Sequence, residues 1–208
     1  MKAWVLLLTA LALLTGCAST RYAPVQADSP PPPDGSLALC KAESAEMYRL
    51  APGASCLFPV RADQKFTVTP LVIDKDETYR ISVPRNQVWY DASRRNVAPA
   101  GDPGSWEMNR FQHWKRHDKS EWFALIVANL RPVPDSTSAQ EPARYEHQEP
   151  KEFSDVSREP ELKVTHPGRL AFYPNDAVVP LLDDIFYSNN SGQVWVRITR
   201  CGAVCLPN

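Results

Sequence analysis

Hydrophobic and polar residues alternate along several short stretches of this chain. In residues 193–199, valine and isoleucine alternate with tryptophan, arginine and threonine, and residues 78–83 repeat the pattern. A period of two places the apolar side chains on one face of a strand, so each stretch predicts a half-buried β-strand. We predict strands at 65–72, 78–83, 88–90, 121–128, 169–173 and 193–199.

Proline, glycine, asparagine and aspartate separate the predicted strands, as expected for turns. Short strands with frequent turns are typical of an all-β fold, and we expect an antiparallel β-sandwich whose two inner faces form the core. Residues 36–56 lack the alternation. We expect a short helix or turn structure at 42–50 within that segment.

Residues 131–163 depart from the strand pattern. They include five prolines, many charges and few large apolar side chains, a composition that is typical of surface segments without a packed core. We predict a long, poorly ordered insertion. Two interpretations stay open: a loop that folds on contact with a partner, and a tolerated insertion between two strands.

The N-terminus is organised as an export signal. Lys2 precedes an apolar run at 3–14 that is too short to cross a bilayer, and Leu-Thr-Gly then leads into Cys17. This ending resembles the lipobox of bacterial lipoproteins, in which the signal peptide, here 1–16, is removed and the cysteine receives a diacylglyceryl group. An ordinary secretory signal with an incidental cysteine is the alternative.

The lipobox resemblance implies that Cys17 anchors the chain to a membrane through acyl chains, which bind by burying methylene groups. Lipoproteins retained in the inner membrane usually have aspartate at the next position. Here that position is Ala18, so we expect the outer membrane. Residues 17–36 are mostly polar, contain four consecutive prolines at 30–33 and predict an extended tether. The β-sandwich domain would then span 37–208.

Size, charge and motifs limit the classes of function that the chain could have. Without the signal, 192 of the 208 residues remain, enough for one domain with a core. The formal charge of −1 becomes −2 without Lys2, and no basic stripe is present, which argues against a nucleic-acid partner. No phosphate loop, nucleophile elbow, HExxH or CxxC motif occurs, so an enzyme is not the expected class.

Four cysteines remain besides Cys17, namely Cys40, Cys56, Cys201 and Cys205. In an exported protein, an even number of cysteines is typical of disulfides. Pairing Cys40 with Cys56 and Cys201 with Cys205 closes short local loops and is favoured, although pairing between the two ends stays open. A zinc site is the alternative, but the spacing lacks a CxxC pair and no histidine is close in sequence.

Two histidines, His113 and His117, are four residues apart in Gln-His-Trp-Lys-Arg-His. On a helix they would share one face and could bind a metal. Because Lys115 and Arg116 lie between them and no carboxylate accompanies them, the sequence favours a solvated basic turn.

The most specific pattern lies near the C-terminus. Residues 168–177 read Gly-Arg-Leu-Ala-Phe-Tyr-Pro-Asn-Asp-Ala, and residues 186–192 read Phe-Tyr-Ser-Asn-Asn-Ser-Gly. With the strand at 76–83, Trp89 and the Pro-Ala-Gly-Asp turn at 99–102, they resemble the calcium-dependent bacterial lectins of the LecA galactose-binding type, over about residues 57–199. The resemblance implies a β-sandwich that binds carbohydrate.

The same resemblance implies a calcium site. Calcium prefers about six to eight oxygen ligands. The side chains of Asp176, Asn189 and Asn190 would supply part of the set, the backbone carbonyls of Ala92 and Phe186 would supply two more ligands, and sugar hydroxyls would complete it. The alternative is that these Asx side chains only close turns between strands.

Two departures from the lectin pattern limit what the resemblance implies. The lectins join their aspartate to the Asn-Asn pair by a tight loop, whereas here residues 177–185 form a longer, partly apolar insertion. Ser105 and Met108 stand where the lectins contact sugar through a histidine and a glutamine. The resemblance therefore does not extend to galactose specificity.

The tryptophans divide into two groups. Trp89 and Trp195 lie in predicted strands and are expected to pack in the core or against neighbouring strands. Trp106, Trp114 and Trp122 lie in or beside a charged stretch and are candidates for stacking on sugar rings, although packing in the core or on the surface is favoured for any single one of them. Trp106 is the one we assign to the ligand site, together with Asp176 and Asn189.

Two functions from different classes follow. One is a membrane-anchored lectin-like module that binds a glycan through calcium. The other is a non-enzymatic structural or assembly lipoprotein of the cell envelope, which uses the same sandwich to dock a protein. The first requires a calcium site beside an open cleft. The second requires an exposed patch, either apolar or formed by the insertion, while the Asx residues only close turns.

Overall fold

The computed structural model describes residues 37–40, 47–84, 86–91, 96–131, 150–179, 185–202 and 205. The structural statements below concern this part of the chain. The signal peptide, Cys17, the tether up to residue 36, Ala92 and residues 132–149 lie outside the described residues, so what the sequence predicts for them stays a prediction.

Two antiparallel sheets of four strands each form a β-sandwich, which confirms the predicted fold class. The strands are β1 (Ser55–Arg61), β2 (Thr67–Ile73), β3 (Thr78–Ser82), β4 (Leu125–Leu130), β5 (Glu152–Asp155), β6 (Glu161–Lys163), β7 (Gly168–Pro174) and β8 (Gln193–Arg200). The first sheet has the order β1-β8-β3-β6 and the second the order β2-β7-β4-β5. Strands that are adjacent in sequence lie in opposite sheets, except for β4 and β5, which pair with each other, and both sheets contribute to one core.

The core lies between the sheets and follows the predicted alternation. In β8, Val194, Val196 and Ile198 are fully buried, while Arg197 and Thr199 are only half-buried. One core cluster joins residues of both sheets, including Val60, Tyr79, Ile81, Leu71, Ile73, Leu125, Val127, Leu170 and Phe172. Burial of this apolar surface is the main force that holds the sandwich together.

Five of the six predicted strands correspond to β2, β3, β4, β7 and β8, with ends shifted by a few residues. The sixth, at 88–90, forms only isolated bridges from Trp89 to Val97 and from Tyr90 to Ser191. The sequence analysis missed β1, which contains Pro59 and lacks alternation. Proline has no N–H to donate, so it is tolerated here because β1 is an edge strand.

The predicted insertion at 131–163 is too long, and the expectation of poor order is wrong for its last part. β5 and β6 fall inside it as short edge strands, with Ser154 and Leu162 buried. The carbonyl of Pro160 accepts a hydrogen bond of 2.7 Å from the N–H of Ile81. The sequence analysis missed these strands because they contain or adjoin charged side chains and prolines. Such residues are tolerated in an edge strand, which pairs on one side only.

Both favoured disulfides are confirmed. Cys40 bonds to Cys56 and Cys201 bonds to Cys205, with Cα–Cα distances of 5.0 and 4.7 Å. These thiols are therefore not zinc ligands. The short helix or turn structure expected at 42–50 is wrong for residues 47–50, because Tyr48 forms a bridge to β2 and its N–H and carbonyl bond to Pro70 and Val72. Residues 41–46 lie outside the described residues.

The described helices are short and lie between the strands. They are α1 (Trp106–Asn109) and two 3₁₀ turns, Gln112–Trp114 and Tyr187–Asn189. In the described part of the chain, no helix has the length and apolar character needed to cross a membrane.

Candidate functional site

The residues singled out by the lectin resemblance meet where β7 ends. After Pro174, Asn175 is fully buried and its side chain holds the loop at 117–121. Its amide oxygen accepts from the N–H of His117 at 3.0 Å, and its amide nitrogen donates to the carbonyls of His117 at 3.0 Å and Glu121 at 2.9 Å. Asn175 therefore orders this end of the sandwich from inside.

Asp176 and Asn190 form a buried pair beyond Asn175. They are 4% and 5% exposed, and the Asn190 amide nitrogen donates to Asp176 Oδ2 at 2.8 Å. Asp176 Oδ1 accepts from the N–H of Ala177 at 2.7 Å. Burial raises the pKa of Asp176 to about 6, although these hydrogen bonds oppose the rise. The structure thus brings together two of the predicted calcium ligands.

The amide oxygen of Asn190 is buried and has no hydrogen-bond partner within the described structure. The amide nitrogen of the same side chain also approaches the carbonyl oxygen of Ala62, at 3.4 Å. An unsatisfied buried carbonyl costs about 1–3 kcal/mol. This is the polar atom at the site that a cation would satisfy.

A second carboxylate, that of Asp91, lies next to the pair. Tyr90 and Ser191 exchange two backbone hydrogen bonds of 2.9 Å, which places their neighbours Asp91 and Asn190 side by side. Asp91 is 8% exposed, and its negative charge contributes to the raised pKa of Asp176. The sequence analysis missed Asp91, although it directly precedes Ala92, whose carbonyl had been assigned to the site.

The end of the 3₁₀ turn Tyr187–Asn189 gives the two adjacent asparagines different exposure to solvent. Asn190 is buried at the end of the turn, whereas Asn189 is exposed. The buried Tyr187 fixes the turn, because its hydroxyl donates to the carbonyl of Pro174 at 3.0 Å and accepts from Arg116 at 3.1 Å. The structure therefore brings Asn190 to Asp176 and leaves Asn189 facing solvent beside them.

Among the described residues, no group of three or more histidine, cysteine, aspartate or glutamate side chains is arranged to hold a metal. A cation at this end would depend on Asp176, Asp91, the Asn190 amide and backbone carbonyls. Calcium accepts this mixture of carboxylate and carbonyl oxygens. The predicted carbonyl of Ala92 lies outside the described residues.

The basic turn predicted at His113 to His117 is not fully solvated, so that expectation is wrong. Lys115 is 8% exposed and donates to the carbonyl of Ser120 at 2.8 Å. The guanidinium of Arg116 lies 3.7 Å from the ring centre of Tyr173 and 4.5 Å from that of Phe66. Aromatic faces attract cations, which is why this turn can pack onto the sandwich.

Aromatic side chains form a partly exposed cluster beside the buried pair. The ring of Phe111 stacks on Trp114 at 5.6 Å and meets Phe186 edge-on at 5.3 Å, and the exposed His113 ring lies 4.2 Å from Trp114. The carbonyl of Trp114 accepts from the N–H of Val178 at 2.9 Å. We call Phe111, His113, Trp114 and Phe186 the aromatic cluster.

Trp89, Trp195 and Trp122 are buried, whereas Trp106 is exposed. Trp89 is fully buried and Trp195 is 9% exposed, as predicted for core residues. Trp122 is also buried, at 2%, and donates to Asn109 at 3.1 Å, so it cannot stack on a sugar. Trp106 is 66% exposed, and the guanidinium of Arg110 lies 4.8 Å from its ring centre.

The Pro-Ala-Gly-Asp turn at 99–102 has a structural role. Gly101 has φ of +93°, and a Cβ there would come within 2.5 Å of the Glu121 Cβ, so the position requires glycine. The Asp102 carboxylate accepts from the N–H of Gly104 at 2.7 Å. Ser105 accepts from the N–H of Met108 at 3.3 Å and caps α1, so its hydroxyl is engaged in the fold.

A second polar cluster surrounds Glu152 at the start of β5. Its carboxylate accepts hydrogen bonds from Arg131, His166, Thr165 and Asn129. Burial alone would raise its pKa, but the hydrogen bonds from Thr165, Asn129 and His166 outweigh it and hold the pKa well below its usual range. With its acceptor sites filled, this carboxylate anchors the turn before β7.

Comparison of the chain with protein-family models, with curated proteins and with solved structures found no match. The lectin resemblance therefore stays a prediction from the motifs. The proposals below are argued from the described residues.

Proposed function

We propose that this chain is a membrane-anchored lipoprotein whose β-sandwich binds carbohydrate with the help of a calcium ion at Asp176 and Asn190. One observation carries the proposal. Two predicted ligands, 14 residues apart, meet at 2.8 Å at one end of the sandwich, and the Asn190 amide oxygen has no hydrogen-bond partner among the described residues.

The electrostatics of the pair favour a cation. A buried carboxylate is costly unless it is paired, and here Asp91 adds a second negative charge near Asp176. The Asn190 amide now presents its nitrogen to Asp176 and approaches the carbonyl of Ala62. Rotation of this amide by a half-turn would present its oxygen instead, alongside a carboxylate and a carbonyl oxygen. Such a set suits calcium.

The surroundings supply features that a sugar would use. The aromatic cluster is tied to the same chain segment as Asp176, through the hydrogen bond between Val178 and Trp114. Aromatic rings stack on the apolar faces of sugar rings. Asn189 is exposed beside the buried pair and offers an amide to sugar hydroxyls, and Trp106 adds a further exposed ring.

Membrane anchoring through Cys17, at the outer membrane, is part of the same proposal. The lipobox-like sequence before Cys17 supports it. The two disulfides fit a protein that is exported to an oxidising compartment. In this account the tether at 17–36 separates the sandwich from the lipid.

The second candidate function is docking of an envelope protein without calcium. It is favoured by the intramolecular bonding of Asp176, whose two carboxylate oxygens already accept from Ala177 and Asn190 and so close a turn. Trp106, Ile185 and Phe153 are exposed apolar side chains, at 66%, 49% and 43%, that a partner would cover. Calcium binding separates the two candidates.

Calcium titration of the full chain in detergent tests the proposal. Calcium should raise the melting temperature, because an ion that binds only the folded state stabilises it. Asp176→Ala should abolish the shift, Asn190→Ala and Asn189→Ala should weaken it, and Asp118→Ala should leave it unchanged because Asp118 is an exposed carboxylate outside the pair. A wild-type chain with no shift and no heat in millimolar calcium would leave protein docking as the better function.

A further inference from the structure

The chain enters the sandwich at the end that lies opposite the candidate site. Residues 37–40 run parallel to β1, because the N–H of Leu57 donates to the carbonyl of Ala38 at 3.0 Å and the N–H of Cys40 donates to the carbonyl of Leu57 at 2.8 Å. The disulfide from Cys40 to Cys56 fixes this segment to the strand. The chain therefore comes in beside the start of β1 and runs in the direction of that strand.

The pairing of β1 with β8 defines the two ends of the first sheet. Ser55 pairs with Thr199 at the end where the chain enters, and Arg61 pairs with Gln193 at the other end. The candidate site lies at this second end, because Asn190 stands shortly before β8 begins. A strand of seven residues separates the two ends by about 20 Å.

We propose that the lipid anchor and the candidate site lie at opposite ends of the sandwich, so that the site faces away from the anchoring membrane and takes a glycan presented beyond the surface of that membrane. This inference rests on the proposed function, because it needs both the anchor at Cys17 and the site at Asp176. It adds the position of the ligand to that function. The sugar headgroups of lipids in the anchoring membrane are then not the ligand.

The length of the tether decides how readily the domain turns round. As a flexible chain, the 20 residues at 17–36 have an average end-to-end distance of about 25 Å. For the site to meet the membrane, the tether would have to run back along the whole sandwich, which is about 20 Å long. This would use most of its reach and leave it few conformations, so the loss of chain entropy opposes it. The four prolines at 30–33 are expected to stiffen the chain close to the point where it would have to reverse.

Reconstitution of the lipidated full chain in vesicles of phosphatidylethanolamine and phosphatidylglycerol tests this orientation. Two exposed lysines mark the ends, namely Lys75 in the turn between β2 and β3 at the entry end, and Lys119 in the loop at 117–121 at the site end. A fluorescent amino acid would replace one lysine at a time, and a lipid with a nitroxide headgroup would quench it at short range. Fluorescence at position 75 should be quenched and fluorescence at position 119 should be retained. Cys17→Ser, which lacks the anchor, is the control and should show no quenching at either position.

Acetylation of the wild type covers the case in which a labelled chain does not fold. Transfer from detergent to vesicles should slow the acetylation of Lys75 by a soluble reagent and leave that of Lys119 unchanged, as measured by mass spectrometry. Equal effects at the two lysines, or a stronger effect at Lys119, would overturn the inference, and the proposed function would still stand. A chain that does not bind the vesicles would remove the anchor from the proposed function, and this inference would fail with it.

Discussion

Several basic side chains are packed against the sandwich near the candidate site instead of extending into solvent. His117 is the most constrained titratable one, because its ring lies 3.9 Å from that of Phe153 and its Nε2 is 2.7 Å from the Tyr173 hydroxyl. Burial lowers the pKa of His117 to about 4, and the nearby Arg116 charge acts in the same direction. The imidazole is therefore neutral in the folded protein at neutral pH.

His117 should make the fold sensitive to mild acid. In the unfolded chain the pKa of His117 returns to its ordinary value of 6.5, so the unfolded state gains a proton first as the pH falls. The contribution of the neutral imidazole to the free energy of unfolding is complete above pH 6.5 and is lost as the pH falls towards about 4. We expect the wild type to lose on the order of 2 kcal/mol relative to His117→Gln over this window, measured by urea unfolding.

A second variant checks the cause of this pH dependence. Phe153→Ala removes the ring that covers the imidazole. Hydration should then raise the pKa of His117 back towards its ordinary value and reduce the loss of stability in acid. Parallel stability curves for the wild type and His117→Gln between neutral pH and about pH 4 would contradict the account.

At the residue scale, the sequence indicated which side chains could belong to the site, but not which of them are buried or in contact. Asp176 and Asn190 were predicted because Asx residues follow strand ends in the lectin pattern. Which asparagine reaches Asp176 depends on the 3₁₀ turn, which buries Asn190 and exposes Asn189. Asp91 was missed because only the long-range pairing of Tyr90 with Ser191 brings it to the site.

At the scale of the elements, the segment before β1 is held by one disulfide and a few backbone bonds. Cys40 bonds to Cys56 in β1, and the N–H of Cys40 donates to the carbonyl of Leu57 at 2.8 Å. Tyr48 pairs with the opposite sheet, at Leu71. This segment therefore connects the two sheets along one edge, and the disulfide limits how far it can separate.

Loss of the Cys40–Cys56 disulfide should cost more stability than loss of the other one. The sequence separations are 16 and 4 residues, and the loop-entropy model gives about 3 and about 2 kcal/mol. We expect Cys40→Ala/Cys56→Ala to lower the free energy of unfolding more than Cys201→Ala/Cys205→Ala, measured by denaturant titration of the oxidised proteins. An equal or reversed order would show that loop length does not control their effects.

The central strands were predictable, whereas three of the four edge strands, β1, β5 and β6, were not. β7 and β8 are paired on both sides and carry strong apolar patterns, which burial requires. β5 and β6 are edge strands of four and three residues with charged sequences. An edge strand needs only one partner and few apolar contacts, so its sequence resembles that of a loop.

At the scale of the whole molecule, the proposed protein consists of a lipid anchor and a β-sandwich whose candidate binding site lies at one end. The candidate site is built where β7 ends, from Arg116, whose N–H donates to the carbonyl of Asp176, the turn Tyr187–Asn189 and the segment around Tyr90. Loops that meet at one end of a rigid scaffold are the usual position for binding sites. The tether at 17–36 would allow this end to reach ligands at a distance from the membrane.

Substitution of the proposed lipidation site tests the anchor. Cys17→Ser should leave a protein that is unprocessed or unlipidated, because no thiol then stands at the cleavage sequence. Membrane fractionation with a carbonate wash and metabolic labelling with a fatty acid measure this. A Cys17→Ser protein that matures normally and stays with the outer membrane would contradict the lipoprotein proposal.

The central claim is calcium-dependent binding of carbohydrate at Asp176 and Asn190, and a glycan array tests it most directly. The full chain, labelled and kept in detergent, would be applied in calcium and again with a chelator, beside Asp176→Ala and the control Asp118→Ala. The account predicts a defined set of bound glycans that is lost with the chelator and in Asp176→Ala and is retained in Asp118→Ala. An array without bound glycans, or with signals that persist in chelator and in Asp176→Ala, would contradict it.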